Sequence, residues 1–121
     1  IIGAVAAIVC RLCISWRTKS NLDDTLDVFP SHGVGGMVGM LLTGVFANSA
    51  INSVVEVNGL YYGATGLFYA HVIVLIGATV FTLVLAFVLL KVTDLITPLR
   101  VSEEEEEVGL DQSQHGEKLS Y

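Results

Sequence analysis

"GLFYAHVIVLIGATVFTLVLAFVLL", residues 66–90, runs for 25 residues without an Asp, Glu, Lys or Arg. At about 1.5 Å per residue, a helix of that length crosses a bilayer core of roughly 30 Å with room for tilt. The stretch therefore reads as a transmembrane helix and sets the frame for the rest of the chain. Upstream, a shorter apolar run spans about 30–47, near the lower limit of roughly 17 residues for a crossing. A third begins at Ile1 and fades around Trp16. It starts inside an apolar run with neither Met nor a signal-peptide cleavage pattern, so the chain reads as a fragment of a longer protein. The expected organisation is a transmembrane region, 1–92, with helices at about 1–16, 30–47 and 66–92, then a tail, 93–121.

Composition agrees with a membrane chain. The 121 residues are 53% hydrophobic, against roughly 45–50% apolar for a soluble domain. Mean hydropathy is +0.69. From Val28 to Leu90 there is no Lys or Arg, and Glu56 is the single acidic residue. The net charge of −6 owes much to Glu103, Glu104, Glu105, Glu106 and Glu107. No basic footprint for nucleic acid is present. The basic residues Arg11, Arg17, Lys19, Lys91, Arg100 and Lys118 avoid the 48–65 loop. Three crossings put Arg17 and Lys19 on the side of Lys91 and the tail, and positive-inside bias makes that side cytoplasmic. Arg11 lies inside the first span, close enough to that face to snorkel.

The connector "WRTKSNLDDTLD" (16–27) is polar and leads into the second helix. Pro30 suits a first helical turn, where its missing N–H costs nothing. Asp27 stands where a helix cap would. The 48–65 loop ends near Tyr61 and Tyr62, which fit an interfacial aromatic belt. Pro98 marks the exit from the last helix, and the tail beyond reads as poorly ordered, its glutamate run a solvated charged linker. Gly109 and Gly116 read as turn residues. Cys10 and Cys13 form "CRLC", but without a second pair they read as structural.

"DVFPSHGVGGMVGM" (27–40) carries the candidate chemistry. On a uniform 100° wheel, Gly35, Gly36, Gly39 and Thr43 fall within about 60° of His32. Val34, Met37, Val38, Leu41 and Val45 take the opposite half. Small residues let helix backbones approach closely, and Gly35 and Gly39 have the G-x-x-x-G spacing. His32 thus points toward protein or a cavity. An ionisable ring at membrane depth is a functional candidate by default, and imidazole can both donate and accept. The bland reading is interhelical glue. His71, beside Tyr69, reads as interfacial, and His115 as solvated. Three histidines on separate segments argue against a metal site made by this chain alone, and no cofactor is implied.

These segments resemble a known family. "DDTLDVFPSHGVGGMVGMLLTGVFA" (23–47) resembles the penultimate-helix signature of the ammonium transporter family (Amt/MEP/Rh). "DLITPLRVSEEEEEVGLDQSQHGEKLSY" (94–121) resembles its cytoplasmic C-terminal region, with "LRVSEEEE", "GLD" and "HGE" in order. Together they cover about half of the chain. The resemblance implies an all-α membrane protein, this chain being the last three transmembrane helices of an eleven-helix fold plus the cytoplasmic tail. It implies homotrimers in the cell membrane that carry ammonium or ammonia through one hydrophobic pore per subunit.

In that family two histidines on different helices share a hydrogen bond in the pore. His32 matches the second, and the partner would lie on an earlier helix. Asp27 and Phe29 match signature residues near the cytoplasmic mouth, in a supporting role with Gly35, Gly36, Gly39 and Thr43. In the tail, Gly109, Asp111, Ser113, His115 and Gly116 fall within the regulatory motifs. Ser113 matches a position phosphorylated in plant members. A trimeric PII-type signal protein docks from the cytoplasm in many microbes. Burying a bare cation is expensive and neutral ammonia tolerable, which gives a histidine pair its purpose. The alternative is an ammonium sensor on the same fold, signalling through the tail. An intramembrane enzyme would need a nucleophile or metal cluster beside His32, and none is visible.

Overall fold

The computed structural model describes residues 1–118; the last three residues of the tail segment 93–121 lie outside the described residues. The chain is helical, with two compact units, one from Ile1 to Thr79 and the other from Val80 onward.

In the first unit, α1 (Ile2–Arg17) is followed by a connector and a π-helical turn (Phe29–Val34) that runs directly into α2 (Gly35–Phe46). A 3₁₀ turn (Leu60–Tyr62) precedes α3 (Gly66–Ile96), which begins in the first unit and ends in the second. α1 packs against the π turn and α2. The contact is close because Gly35 has no side chain: a Cβ there would sit 3.0 Å from the Cys10 sulfur. The Cys10 thiol also points at the Ser31 carbonyl, 3.9 Å away.

α1 ends in locally satisfied carbonyls. The Thr18 amide donates to Ile14, the Lys19 amide to Trp16, and the Ser20 hydroxyl to Arg17. At the far end of α2 the chain turns back tightly. The Gly59 amide donates to the Ala47 carbonyl at 2.7 Å, and Asn58 takes the amide and hydroxyl of Ser49 on one side-chain oxygen. Gly63, at φ 86°, takes the left-handed conformation that ends the 3₁₀ turn. Phe46 and Tyr61 pack in a tilted arrangement with ring centroids 5.7 Å apart, and Tyr61 meets Tyr62 edge-on at 5.2 Å.

α3 is the one described helix whose length and composition suffice to cross a membrane: 31 residues, about 46 Å, with mean hydropathy 2.9 in its apolar window. None of its residues is buried within the chain. Among the described residues no large hydrophobic side chain is buried except Pro30. Exposed apolar surface on this scale needs a cover of lipid or other protein.

In the second unit the glutamate run is solvated but is not a linker. Residues Glu103–Val108 form α4, capped by a reciprocal box. The Ser102 amide donates to the Glu105 carboxylate at 2.9 Å, and the Glu105 amide donates to the Ser102 hydroxyl at 3.3 Å. Acidic residues in a first turn also oppose the helix dipole favourably, so the run supports a helix where its charge alone argued for disorder. α5 (Leu110–His115) folds back on α4.

Candidate functional site

His32 lies in the middle of the π turn, exposed, three residues after the turn begins. Its ring makes no hydrogen bond among the described residues. It lines a mainly apolar concavity of about 540 Å³ between α1 and the π turn, with Cys13, Trp16, Arg17, Leu22 and Phe29 among its walls. Two acidic residues, Asp23 and Asp24, line the same hollow.

The helix cap differs from the expected one. Asp27 does not cap the helix with its side chain; Asp24 does. One Asp24 oxygen accepts the Val28 amide and the other the Phe29 amide, both at 2.9 Å. Asp27 stands at φ 52°, an uncommon conformation for a non-glycine residue, with its carboxylate paired to the Arg17 guanidinium. Its contribution to the helix is its carbonyl, which accepts the Ser31 amide at 3.0 Å. The Val28 and Phe29 amides hold the Asp24 carboxyl below its usual range, and Arg17 adds a smaller pull against desolvation.

The small face beside His32 is divided. Gly35 packs against Cys10, whereas a Cβ on Gly36 or Gly39 would meet nothing within 4 Å. Thr43 is exposed and its hydroxyl donates within α2, to the Gly39 carbonyl at 2.8 Å. The wheel assumed 100° per residue throughout. The i→i+5 closure of a π turn breaks that uniform register at His32 itself.

His71 is not merely interfacial. Its Nδ1 lies 2.8 Å from the Met40 carbonyl; a carbonyl only accepts, so Nδ1 carries the proton and donates. Gly44 is buried beneath it: a Cβ there would stand 3.0 Å from Nδ1 and 3.1 Å from the Phe68 Cα. His71 therefore pins α3 to α2. Nothing in the sequence pairs Gly44 with His71, because that contact exists only once the 48–65 loop has folded. His71 does not line the His32 concavity, and His115 lies on α5 in the second unit.

The tail residues gather around Glu105. The Ser113 hydroxyl donates to the Glu105 carbonyl at 3.1 Å, and the Gln114 amide group donates to its carboxylate at 3.0 Å. Gly109 (φ 97°) makes the turn between α4 and α5, and Gly116 (φ 68°) ends α5. Asp111 accepts the Glu117 amide on its carbonyl, which closes that turn. The spacing of Ser102 and Glu105 is the sequence signal for this arrangement.

Comparison with known proteins matches this whole stretch. The family model described as Ammonium Transporter Family covers residues 1–120. The chain is 40% identical over 119 residues to an ammonium transporter of Bacillus subtilis, covering 98% of this chain and 29% of that protein. It is 38% identical over 121 residues to ammonium transporter Amt1 of Archaeoglobus fulgidus, covering 100% and 30%. Ammonium transporter 2 of Schizosaccharomyces pombe is 34% identical over an alignment of 131 positions, covering 96% and 25%. The chain thus spans three tenths or less of the length of these relatives. With the match running from the first helix through the tail, the chain belongs to the ammonium transporter family.

Proposed function

We propose that this chain forms part of a membrane transporter of ammonium or ammonia, and that His32 stands in its conduction path. The observation that carries this reading is the state of His32. Its imidazole lines a mainly apolar hollow, in a chain matched to this family over residues 1–120. At membrane depth such a ring needs a partner, because an unsatisfied polar group in an apolar medium costs several kcal/mol, about 2–7. A second histidine on a helix outside this chain supplies one, and a small hydrogen-bonding solute passing between the two rings supplies the other.

The chemistry follows from the charge of the solute. A bare ammonium ion in a narrow apolar passage is expensive, and ammonia is not. Two imidazoles can hydrogen-bond the solute as it loses water and can hold a proton beside it. Asp27 and Phe29 sit at the cytoplasmic mouth of this path. Gly36, Gly39 and Thr43 leave an open small-residue face along it.

The wider assembly follows the family. Residues 1–92 span the membrane as the last three helices of an eleven-helix subunit, and subunits associate as homotrimers in the lipid bilayer. The basic residues direct the tail, 93–121, to the cytoplasm. There Gly109, Asp111, Ser113, His115 and Gly116 belong to a regulatory element that a PII-type signal protein can engage.

The test is growth on limiting ammonium of a transporter-deficient microbe that carries the full-length gene, with His32 intact or changed to Ala, at equal membrane expression. His32→Ala is expected to abolish uptake or change its ion selectivity. Unchanged uptake and selectivity would leave His32 as helix glue. If the intact protein supports no uptake, the ammonium-sensor reading replaces transport.

A further inference from the structure

We infer that Asp24 is a positioning residue for His32: its carboxylate sets the register of the π turn and so the direction of the imidazole. The inference rests on the pore reading of His32 above. The donors at this helix end carry it. The first amides of any helix lack partners within it. Here the Val28 and Phe29 amides both go to Asp24, Pro30 has none to satisfy, and the Ser31 amide goes to the Asp27 carbonyl. His32 is the next residue. These N-terminal holds on its turn all come from two aspartates of one connector.

The π geometry makes that hold consequential. A π turn accommodates one residue more than the α-helix it interrupts and is rarely found without a local reason. Its relaxation to an α turn would displace His32 by one residue, about 100° around the axis and about 1.5 Å along it. That rotation would turn the ring out of the hollow it shares with Trp16 and Phe29. The extra residue would have to be taken up by the connector, and two contacts oppose this. Asp24 fixes the Val28 and Phe29 amides at once, with one oxygen on each. Arg17 fixes the Asp27 carboxylate, so Asp27 keeps its left-handed conformation. Asp24 lines the same hollow as His32, and these bonds commit an oxygen to each of two turn amides. Its effect is on where His32 stands.

The test is a double-mutant cycle in the full-length transporter, purified and reconstituted in liposomes at matched protein. Asp24→Ala removes both acceptors and Asp24→Asn keeps one carbonyl oxygen. The readouts are ammonium flux per molecule and the ratio of ammonium to potassium flux, which a loss of folded protein alone does not move. With His32 present, Asp24→Ala is expected to lower flux per molecule about tenfold or more and to change the ratio, with Asp24→Asn in between. In a His32→Ala background the same Asp24 changes are expected to shift the residual flux above empty liposomes, and its ratio, less than about twofold; where that background carries no flux, Asp24→Asn with His32 intact decides alone. Equal fold-changes in both backgrounds overturn the inference, as does an unaltered flux and ratio in Asp24→Asn with His32 intact. If His32→Ala alone leaves flux and ratio unchanged, it is the pore reading that fails, and that result is distinct from additivity of the two changes.

Discussion

Gly59→Ala is a perturbation whose cost can be worked from geometry. Gly59 stands at φ −82° and ψ 178°, extended backbone that alanine adopts freely, so no conformational penalty enters. The cost is contact. A Cβ at this position would collide with the Val45 carbonyl oxygen and lie 2.7 Å from both the Gly44 oxygen and the Val45 carbonyl carbon. These atoms belong to the last turn of α2 and cannot swing aside as a side-chain tip would. The loop must move away, and with it goes the 2.7 Å bond from the Gly59 amide to Ala47. Overpacking of this kind costs about 1–3 kcal/mol and the lost bond about 0.5–1.5, so about 1.5–4.5 kcal/mol in all. The assay is thermal denaturation of the full-length protein in detergent, with membrane abundance measured alongside. A lower midpoint and reduced abundance are expected, while flux per surviving molecule stays as it was. A midpoint equal to that of the parent would refute the close approach of loop and helix.

Two further outcomes separate holding from conduction and from regulation. His71→Phe removes the donor to the Met40 carbonyl while keeping a planar ring over Gly44. It is expected to destabilise by about 1 kcal/mol in the same denaturation assay and to leave ion selectivity untouched, the converse of His32→Ala. In the tail, the Ser102 amide, followed by the Ser102 hydroxyl and Gln114, holds the Glu105 carboxyl below its usual range. A depressed carboxylate stabilises the folded form fully above its unfolded value and loses that support as pH falls through its folded value. Amide exchange in 103–108, corrected for its intrinsic pH dependence, should therefore rise as pH is lowered through the carboxylate range. Ser102→Ala should produce the faster exchange already at neutral pH.

Legibility in the sequence differs by residue. The α3 run declares itself because 25 uncharged residues in a row match the thickness of a bilayer and exceed what an ordinary buried helix needs. His32 stands out as a lone ionisable ring at the head of a glycine-rich segment. The capping role within "DDTLD" is not legible. Asp24 and Asp27 are chemically equivalent there, and the choice depends on the backbone of Asp27, which is held by Arg17 at the other end of the connector. The π turn has no periodic signature of its own, because six residues are too few to distinguish it from an α turn. Ser102 and Glu105 do carry the spacing of a capping box, but the charge of five consecutive glutamates argues for solvation and masks it. The His71 tie is hidden for a different reason: both of its partners, Gly44 and Met40, look like ordinary members of an apolar helix.

The two halves of the His32 site differ in origin, and this bears on how variants behave. Position comes from within the chain: Asp24, Asp27 and Arg17 fix the turn, and Cys10 against Gly35 fixes its distance from α1. Under the proposed pore role, the chemistry needs a partner for the ring on another helix. Changes to the positioning groups act on the orientation of an intact imidazole, so they should vary in severity with how many acceptors survive. Changes to His32 remove the group itself, and no repair of the connector can restore it. An aspartate variant rescued by a second acceptor, beside a His32 variant that no connector change rescues, is the pattern this division requires.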